Sequence, residues 1–148
     1  MREHTNMTKR VLYTVIVAAL VAACCPCRFN RKNAAPLIGT HWVLTQLAGK
    51  QIDNGANDGN NIFRCTFSAD GTLAGTGACN NFSAQYTTTG KGAITIGTIA
   101  ATRMYCPNLE LEQKLFRELD DATHYEIDGK TLLILSNGEI RLVFSAAN

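Results

Sequence analysis

Six cysteines in 148 residues are the most conspicuous chemical groups of this chain. Three crowd together as Cys24, Cys25 and Cys27, and the others stand apart as Cys65, Cys79 and Cys106. Cys24 and Cys27 are formally a C-x-x-C pair. Redox chemistry needs such a pair at a helix start following a strand, where the thiolate is stabilised. Here it falls between an apolar run and a polar stretch, so redox catalysis is not expected. His124, Glu126 and Asp128 alternate and would share one face of a strand, a spacing open to metal binding or acid–base work. A solvated face opposite Tyr125 and Ile127 has the same pattern, and we adopt that reading. The polar run 53–60 fails as a calcium loop. Gly55 stands where a ligand is needed, and Arg64 where the closing Glu would be. Gly75-Thr76-Gly77 does not open a dinucleotide fingerprint, because Asn80 replaces the third glycine and no helix follows. The three histidines leave little material for a general base. No catalytic residue, no metal and no cofactor is therefore expected.

Length and charge narrow the classes further. The chain suits one domain. Its hydrophobic share of 46% and charged share of 18% are those of a folded protein. The formal net charge of +2 is uneven. Three of the fourteen basic and one of the twelve acidic side chains lie within residues 1–23. The remainder carries eleven of each sign and is neutral. There is no basic field of the kind nucleic-acid binding requires.

The N-terminus reads as an address. Lys9 and Arg10 precede an apolar run over 11–23, roughly 20 Å long as a helix and too short for a hydrocarbon core of about 30 Å. A charged start, a short apolar segment and a small-residue break describe a secretory signal, with Met7 an alternative start. The break, Val21-Ala22-Ala23-Cys24, resembles a bacterial lipobox. That resemblance implies that the Cys24 thiol receives a diacylglyceryl group and becomes the mature N-terminus. Each buried CH₂ of such an anchor contributes about 0.8 kcal/mol. Cys25, rather than Asp, follows Cys24, which favours the outer membrane. Residues 24–36 then form a tether, whose basic side chains either lie against anionic headgroups or are simply solvated. The folded domain is expected over 37–148.

That domain should be mostly strand. Residues 41–47 alternate, with Trp42 and Leu44 on one face. Residues 62–67 put Phe63, Cys65 and Phe67 on one side, which makes Cys65 a buried thiol. A turn at 69–71 returns the chain through 72–75. Segments 85–88 and 93–96 flank a turn at 89–92. Asp128-Gly129 and Asn137-Gly138 are hairpin signals joining segments around Tyr125 and Ile127, 132–135 and 140–144. Ile140, Leu142 and Phe144 are expected to share a face. A helix is predicted over 108–119, with Glu110 and Glu112 near the positive end of its dipole. Leu111, Leu115, Phe116 and Leu119 form its apolar stripe. The fold class is α+β: a bent antiparallel sheet or open barrel with one covering helix.

The central segment Gly75-Thr76-Gly77-Ala78-Cys79-Asn80-Asn81-Phe82-Ser83-Ala84-Gln85-Tyr86 resembles the G-x-x-G-C-N-x-[FY]-x-x-x-Y core of the META/HslJ family. Thr102-Arg103-Met104-Tyr105-Cys106-Pro107 is similar to that family's T-x-M-x-C-P. The opening Trp42-x-Leu44 and closing Leu142-x-Phe144 also fit, so the resemblance spans about 37–144. Ala84 departs from the usual glycine, with a change in the local turn expected. The matching positions are Gly77, Cys79, Asn80, Asn81, Tyr86, Thr102, Met104 and Cys106. The residues also make local sense. Gly75 and Gly77 admit unusual backbone conformations, and Asn80 and Asn81 can bond their own backbone. Phe82 and Tyr86 can anchor the loop. An architectural role for this segment and a binding role both remain open, the former being preferred. In an oxidising envelope the resemblance implies a Cys79–Cys106 disulfide. Cys25 and Cys27 are either free or paired.

The resemblance implies a non-enzymatic, lipid-anchored protein of the bacterial cell envelope, facing the periplasm and associated with stress; family members are linked to heat response, novobiocin resistance and, in protozoa, motility. Its partners would be the membrane, through the lipid, and an envelope protein or acyl-chain ligand. The alternative is a pilotin-like module binding an acyl chain or partner peptide, by analogy of fold. A continuous apolar groove beside Phe63, Leu115 and Phe116 would favour that alternative, and a packed interior would count against it.

Overall fold

The computed structural model describes residues 33–53, 63–105 and 107–147. Expectations for the signal segment, Cys24, Cys25, Cys27, most of the polar 53–60 run and Cys106 lie outside them. The strands are β1 (His41–Leu47), β2 (Lys50–Gln51), β3 (Arg64–Phe67), β4 (Thr72–Thr76), β5 (Asn81–Thr88), β6 (Ile94–Ile96), β7 (Ala100–Ala101), β8 (His124–Asp128), β9 (Thr131–Ser136) and β10 (Glu139–Ala146). The helix α1 (Leu109–Asp120) falls between β7 and β8.

Alternating side chains create the sheet's inner face. Trp42, Leu44 and Leu47 on β1, Cys65 and Phe67 on β3, Leu73 on β4 and Phe82, Ala84 and Tyr86 on β5 are all buried. Ala84 lies mid-strand opposite Leu73, so the departure from the family pattern at this position alters no turn. Strand β5 begins earlier than expected, because the alternation already starts at Phe82. The antiparallel order is β6-β5-β4-β3-β1-β10-β9-β8. The two ends of that order approach each other through an Ala93–His124 bridge. The Ile94 N–H donates to Thr123 O at 3.0 Å, and the Tyr125 N–H to Gly92 O at 2.8 Å. The product, among the described residues, is a nearly closed barrel with one helix. Leu115 and Leu119 of α1 join its core, which Trp42, Phe67, Phe144 and several leucines fill.

Turn chemistry matches the sequence. Asn137 and Gly138, at φ 51° and 82°, both take the left-handed conformation that a two-residue hairpin favours. Ala35 joins the fold by donating its N–H to Gly129 O at 2.8 Å. The Trp42 indole N–H donates to Leu37 O at 3.1 Å, which ties the same entering segment to the core.

One expectation fails on β10. Ile140 does not share a face with Leu142 and Phe144, because the register shifts between Ile140 and Leu142. The bulge turns Ile140 outward, 51% exposed. It also aims Arg141 at the helix. The Arg141 guanidinium donates to both carboxylate oxygens of the buried Glu118, at 2.7 and 2.8 Å. These bonds hold the Glu118 carboxyl below its ordinary pKa, with burial opposing them and the Arg141 charge adding to them.

A depressed native pKa stabilises the fold above the ordinary carboxylate range. That stabilisation is lost as pH falls through the range toward the lowered value. Between about pH 5 and about pH 3, the urea midpoint of the wild type should therefore fall more steeply than that of Glu118→Gln. Parallel declines would show that this pair contributes nothing to the acid limb.

Candidate functional site

The β4–β5 turn carries Gly77, Cys79 and Asn80 of the sequence-predicted positions, and Asn81 opens β5 directly after it. After Thr76 the chain reverses through Gly77, Ala78, Cys79 and Asn80, with the Gly77 N–H donating to Asn80 O at 2.7 Å. The successive N–H groups of Cys79 and Asn80 point to one spot, the arrangement that cradles an anion. The first turns of α1 supply that anion. Glu112 Oε2 accepts the Cys79 N–H at 3.0 Å and the Asn80 N–H at 2.9 Å. Its Oε1 accepts the Asn80 side-chain amide at 2.5 Å. Glu112 is 1% exposed and Asn80 2%. A buried carboxylate is tolerable on these terms, because both oxygens are hydrogen-bonded.

Asn80 passes the constraint on to the segment after β7. Its Oδ1 accepts the Thr102 hydroxyl at 2.8 Å and the Met104 N–H at 2.7 Å, while Nδ2 also reaches Met104 O at 3.1 Å. The Thr102 hydroxyl oxygen accepts the Asn81 N–H at 3.2 Å, and the Thr102 N–H donates to Asn81 O at 3.0 Å. Gly77, Cys79, Asn80, Asn81, Thr102 and Met104 thus converge on one cluster around Glu112. Cys79 Sγ lies 3.8 Å from Met104 O. Tyr86 stands elsewhere. Its hydroxyl donates to Ser68 O at 2.8 Å, and its ring meets Phe67 edge-on.

The two motif glycines act through space, not through backbone freedom. Neither Gly75 nor Gly77 has a positive φ. A Cβ on Gly77 would collide with the Glu112 carboxylate, and one on Gly75 with the Arg64 carbonyl and the Phe82 ring. The expectation of unusual conformations at these positions is corrected accordingly. Glu112 itself, expected only near the helix dipole, is the residue that sequence reasoning missed. The signal was present: Glu112 precedes Leu115, Phe116 and Leu119 by three, four and seven residues, so it occupies the apolar stripe.

Cys65 is a buried free thiol, and burial pushes its pKa up to about 12. His124, Glu126 and Asp128 are exposed on one face of β8. Among the described residues no group of His, Cys, Asp or Glu is placed to hold a metal ion. A groove of about 750 Å³ runs between α1 and the β1–β2 end, touching Phe63 and Leu111 but also Lys50, Glu110, Lys114 and Arg117. It does not reach Leu115, which faces the packed interior. Phe116 lines other hollows on the opposite flank of the helix.

The geometry has a direct energetic consequence. Glu112→Gln sets an NH₂ against either the Asn80 amide or the backbone N–H groups of Cys79 and Asn80, donor facing donor in both orientations, and rotating Asn80 would break its bonds to Thr102 and Met104. Loss of about 1–3 kcal/mol per unmatched buried group is expected in urea unfolding. Glu112→Ala and Gly77→Ala should each lose at least as much. Wild-type stability in Gly77→Ala would contradict the close packing of Gly77 on the carboxylate.

The model of one domain family, the META domain, matches residues 35–148. No match was found among curated proteins. Two solved structures share the fold. An NMR structure from Burkholderia xenovorans is 23% identical, covers 76% of this chain and 84% of its own, and has a TM-score of 0.58. A second NMR structure is 22% identical, covers 72% of this chain and 88% of its own, and has a TM-score of 0.57.

Proposed function

Because the chain belongs to the META-domain family, we propose that it is a non-enzymatic, lipid-anchored protein of the bacterial cell envelope, of the META/HslJ type and associated with stress. One observation carries the non-enzymatic part. The family-motif residues spend their polar atoms on one another. The Glu112 carboxylate fills the cradle made by Cys79 and Asn80, and the Asn80 amide is bonded on both sides. An acid, base or nucleophile must reach a substrate, and these groups face inward. The motif serves to fix one loop against the helix and to hold its outer face in place. No cofactor has a role in this reading.

The anchor rests on the lipobox-like Val21-Ala22-Ala23-Cys24. Cys24 carries the lipid, the membrane is the first partner, and an envelope protein is the second. The position is the outer membrane, facing the periplasm. A pilotin-like acyl-chain module ranks lower, because among the described residues the groove at Phe63 includes neither Leu115 nor Phe116, and Leu115 is buried in the core.

Metabolic labelling with a fatty-acid analogue tests the anchor. The wild type should be tagged and Cys24→Ser should not; equal labelling of both removes the basis for a lipoprotein. The proposed Cys79–Cys106 disulfide would pin the turn to the start of the helix. Its support is the placement of Cys79 Sγ beside Met104 O, two residues ahead of Cys106. In the chain-entropy treatment such a loop contributes roughly 3–4 kcal/mol. Non-reducing peptide mapping should recover the Cys79 and Cys106 peptides joined, and a Cys65 peptide in that link would contradict the pairing.

A further inference from the structure

The barrel leaves a short strand edge open beside the motif loop. Among the described residues strand β7 pairs with β5 alone. Phe82 faces Ala101, and Ser83 faces Ala100. Hydrogen-bonded and non-hydrogen-bonded pairs alternate along an antiparallel ladder. The Thr102 N–H donates inward to Asn81 O, so the N–H and C=O of Ala101 point outward. Both alanines are exposed. Proteins ordinarily blunt such an edge by keeping it very short, or with Lys, Pro, a bulge or a covering element, and β7, of two residues, uses the first of these. Here Ile99, Ala100, Ala101 and Thr102 carry no charge and no proline.

The space beyond that edge is shaped. Two open hollows lie between the β7 segment and α1, and Phe116 lines both. One, of about 350 Å³, is bounded by Thr102, Arg103, Met104, Tyr105, Leu109 and Phe116 among others. The other, of about 300 Å³, is bounded by Thr98, Ile99, Phe116, Arg117 and Asp120. Met104 is 55% exposed and Tyr105 89%, large apolar surfaces displayed to solvent. The Met104 backbone is nevertheless clamped on both its N–H and its C=O by the buried Asn80. An exposed Arg-Met-Tyr run with the Met104 backbone already held offers the side chains enriched at interfaces at a reduced backbone-ordering cost. Arg103 and Arg117 are exposed and form no ion pair among the described residues. Two carboxylates line the same hollows: Asp120 is exposed, whereas Glu112 is buried and spends its oxygens on the β4–β5 turn.

We propose that the cleft between the free edge of β7 and helix α1 binds an extended, acidic peptide segment of a partner protein by strand addition. The partner's backbone pairs with Ala101, alternate side chains enter the hollows on either side of Phe116, and its carboxylates meet Arg103 and Arg117. An open strand edge facing a helix across a groove is the geometry by which peptides are captured as added strands. The proposal names a surface and a ligand chemistry for the envelope-protein partner, and it does not depend on the lipid.

The test uses the full-length chain in detergent micelles and a blocked seven-residue peptide alternating Glu and Val. Amide chemical shifts should move over 98–105 and around Phe116 and Arg117. The Lys-for-Glu counterpart, and a version N-methylated at alternate amides, should each bind about tenfold more weakly or worse. Ala101→Pro removes the outward N–H but no ladder bond to β5, and it should weaken binding to a similar degree. The double charge reversal Arg103→Glu with Arg117→Glu should switch preference to the Lys peptide, independently of any strain the proline introduces. Three results overturn the proposal: no binding, equal binding of the acidic and basic peptides, or shifts confined to the groove beside Phe63. Movement of the same amides on concentrating the chain alone would assign the cleft to a second copy and overturn it as well. Failure of fatty-acid labelling at Cys24 would leave these outcomes unaffected.

Discussion

One buried carboxylate organises the centre of this domain. Glu112 brings a negative charge into a space lined by backbone, and the charge is tolerable only because the β4–β5 turn presents two N–H groups and an amide to it. The turn depends equally on the carboxylate. Without it, the N–H groups of Cys79 and Asn80 would lose these acceptors in a region closed to water, each at a cost of about 1–3 kcal/mol. Helix and turn are therefore jointly specified. Asn80 extends the same constraint to Thr102 and Met104, so three segments distant in sequence share one hydrogen-bonded node.

This node explains why the motif is so restrictive in residue type. Gly77 is held to hydrogen by the carboxylate beneath it. Asn80 donates to both Glu112 and Met104 O while accepting from Met104 N–H, a pair of donors that neither an ionised Asp nor a Ser hydroxyl supplies. Thr102 donates to Asn80 while accepting from Asn81. A motif of Gly, Cys and Asn invites comparison with catalytic loops, yet its polar atoms point into the protein. What faces solvent is the other side of the clamped segment: Arg103, Met104 and Tyr105.

A second carboxylate secures the far end of the helix. Glu118 receives the Arg141 guanidinium in a paired geometry, and the β10 bulge is what lets Arg141 reach it. Helix α1 is thus tied at its start to the β4–β5 turn and near its end to β10, with Leu115 and Leu119 packed into the core between them. Among the described residues β7 pairs with β5 and no other strand.

Strand positions, hairpin turns and the helix were legible in the sequence, because alternation, Asn-Gly pairs and a helical stripe are local patterns set by backbone geometry. The burial of Cys65 was legible too, and the family resemblance named Gly77, Cys79, Asn80, Thr102 and Met104 without placing them side by side. Three features were decided only by tertiary structure. The bulge that turns Ile140 outward depends on register against β9, which no single-strand pattern encodes. The demand for glycine at positions 75 and 77 comes from atoms supplied by β3, β5 and α1. The role of Glu112 could be settled only once the turn was folded against the helix, since a glutamate on an apolar stripe is a liability until its partners are in place. Local chemistry determined which elements form. The partners that make buried charge tolerable are far away in sequence, and only the assembled barrel brings them together.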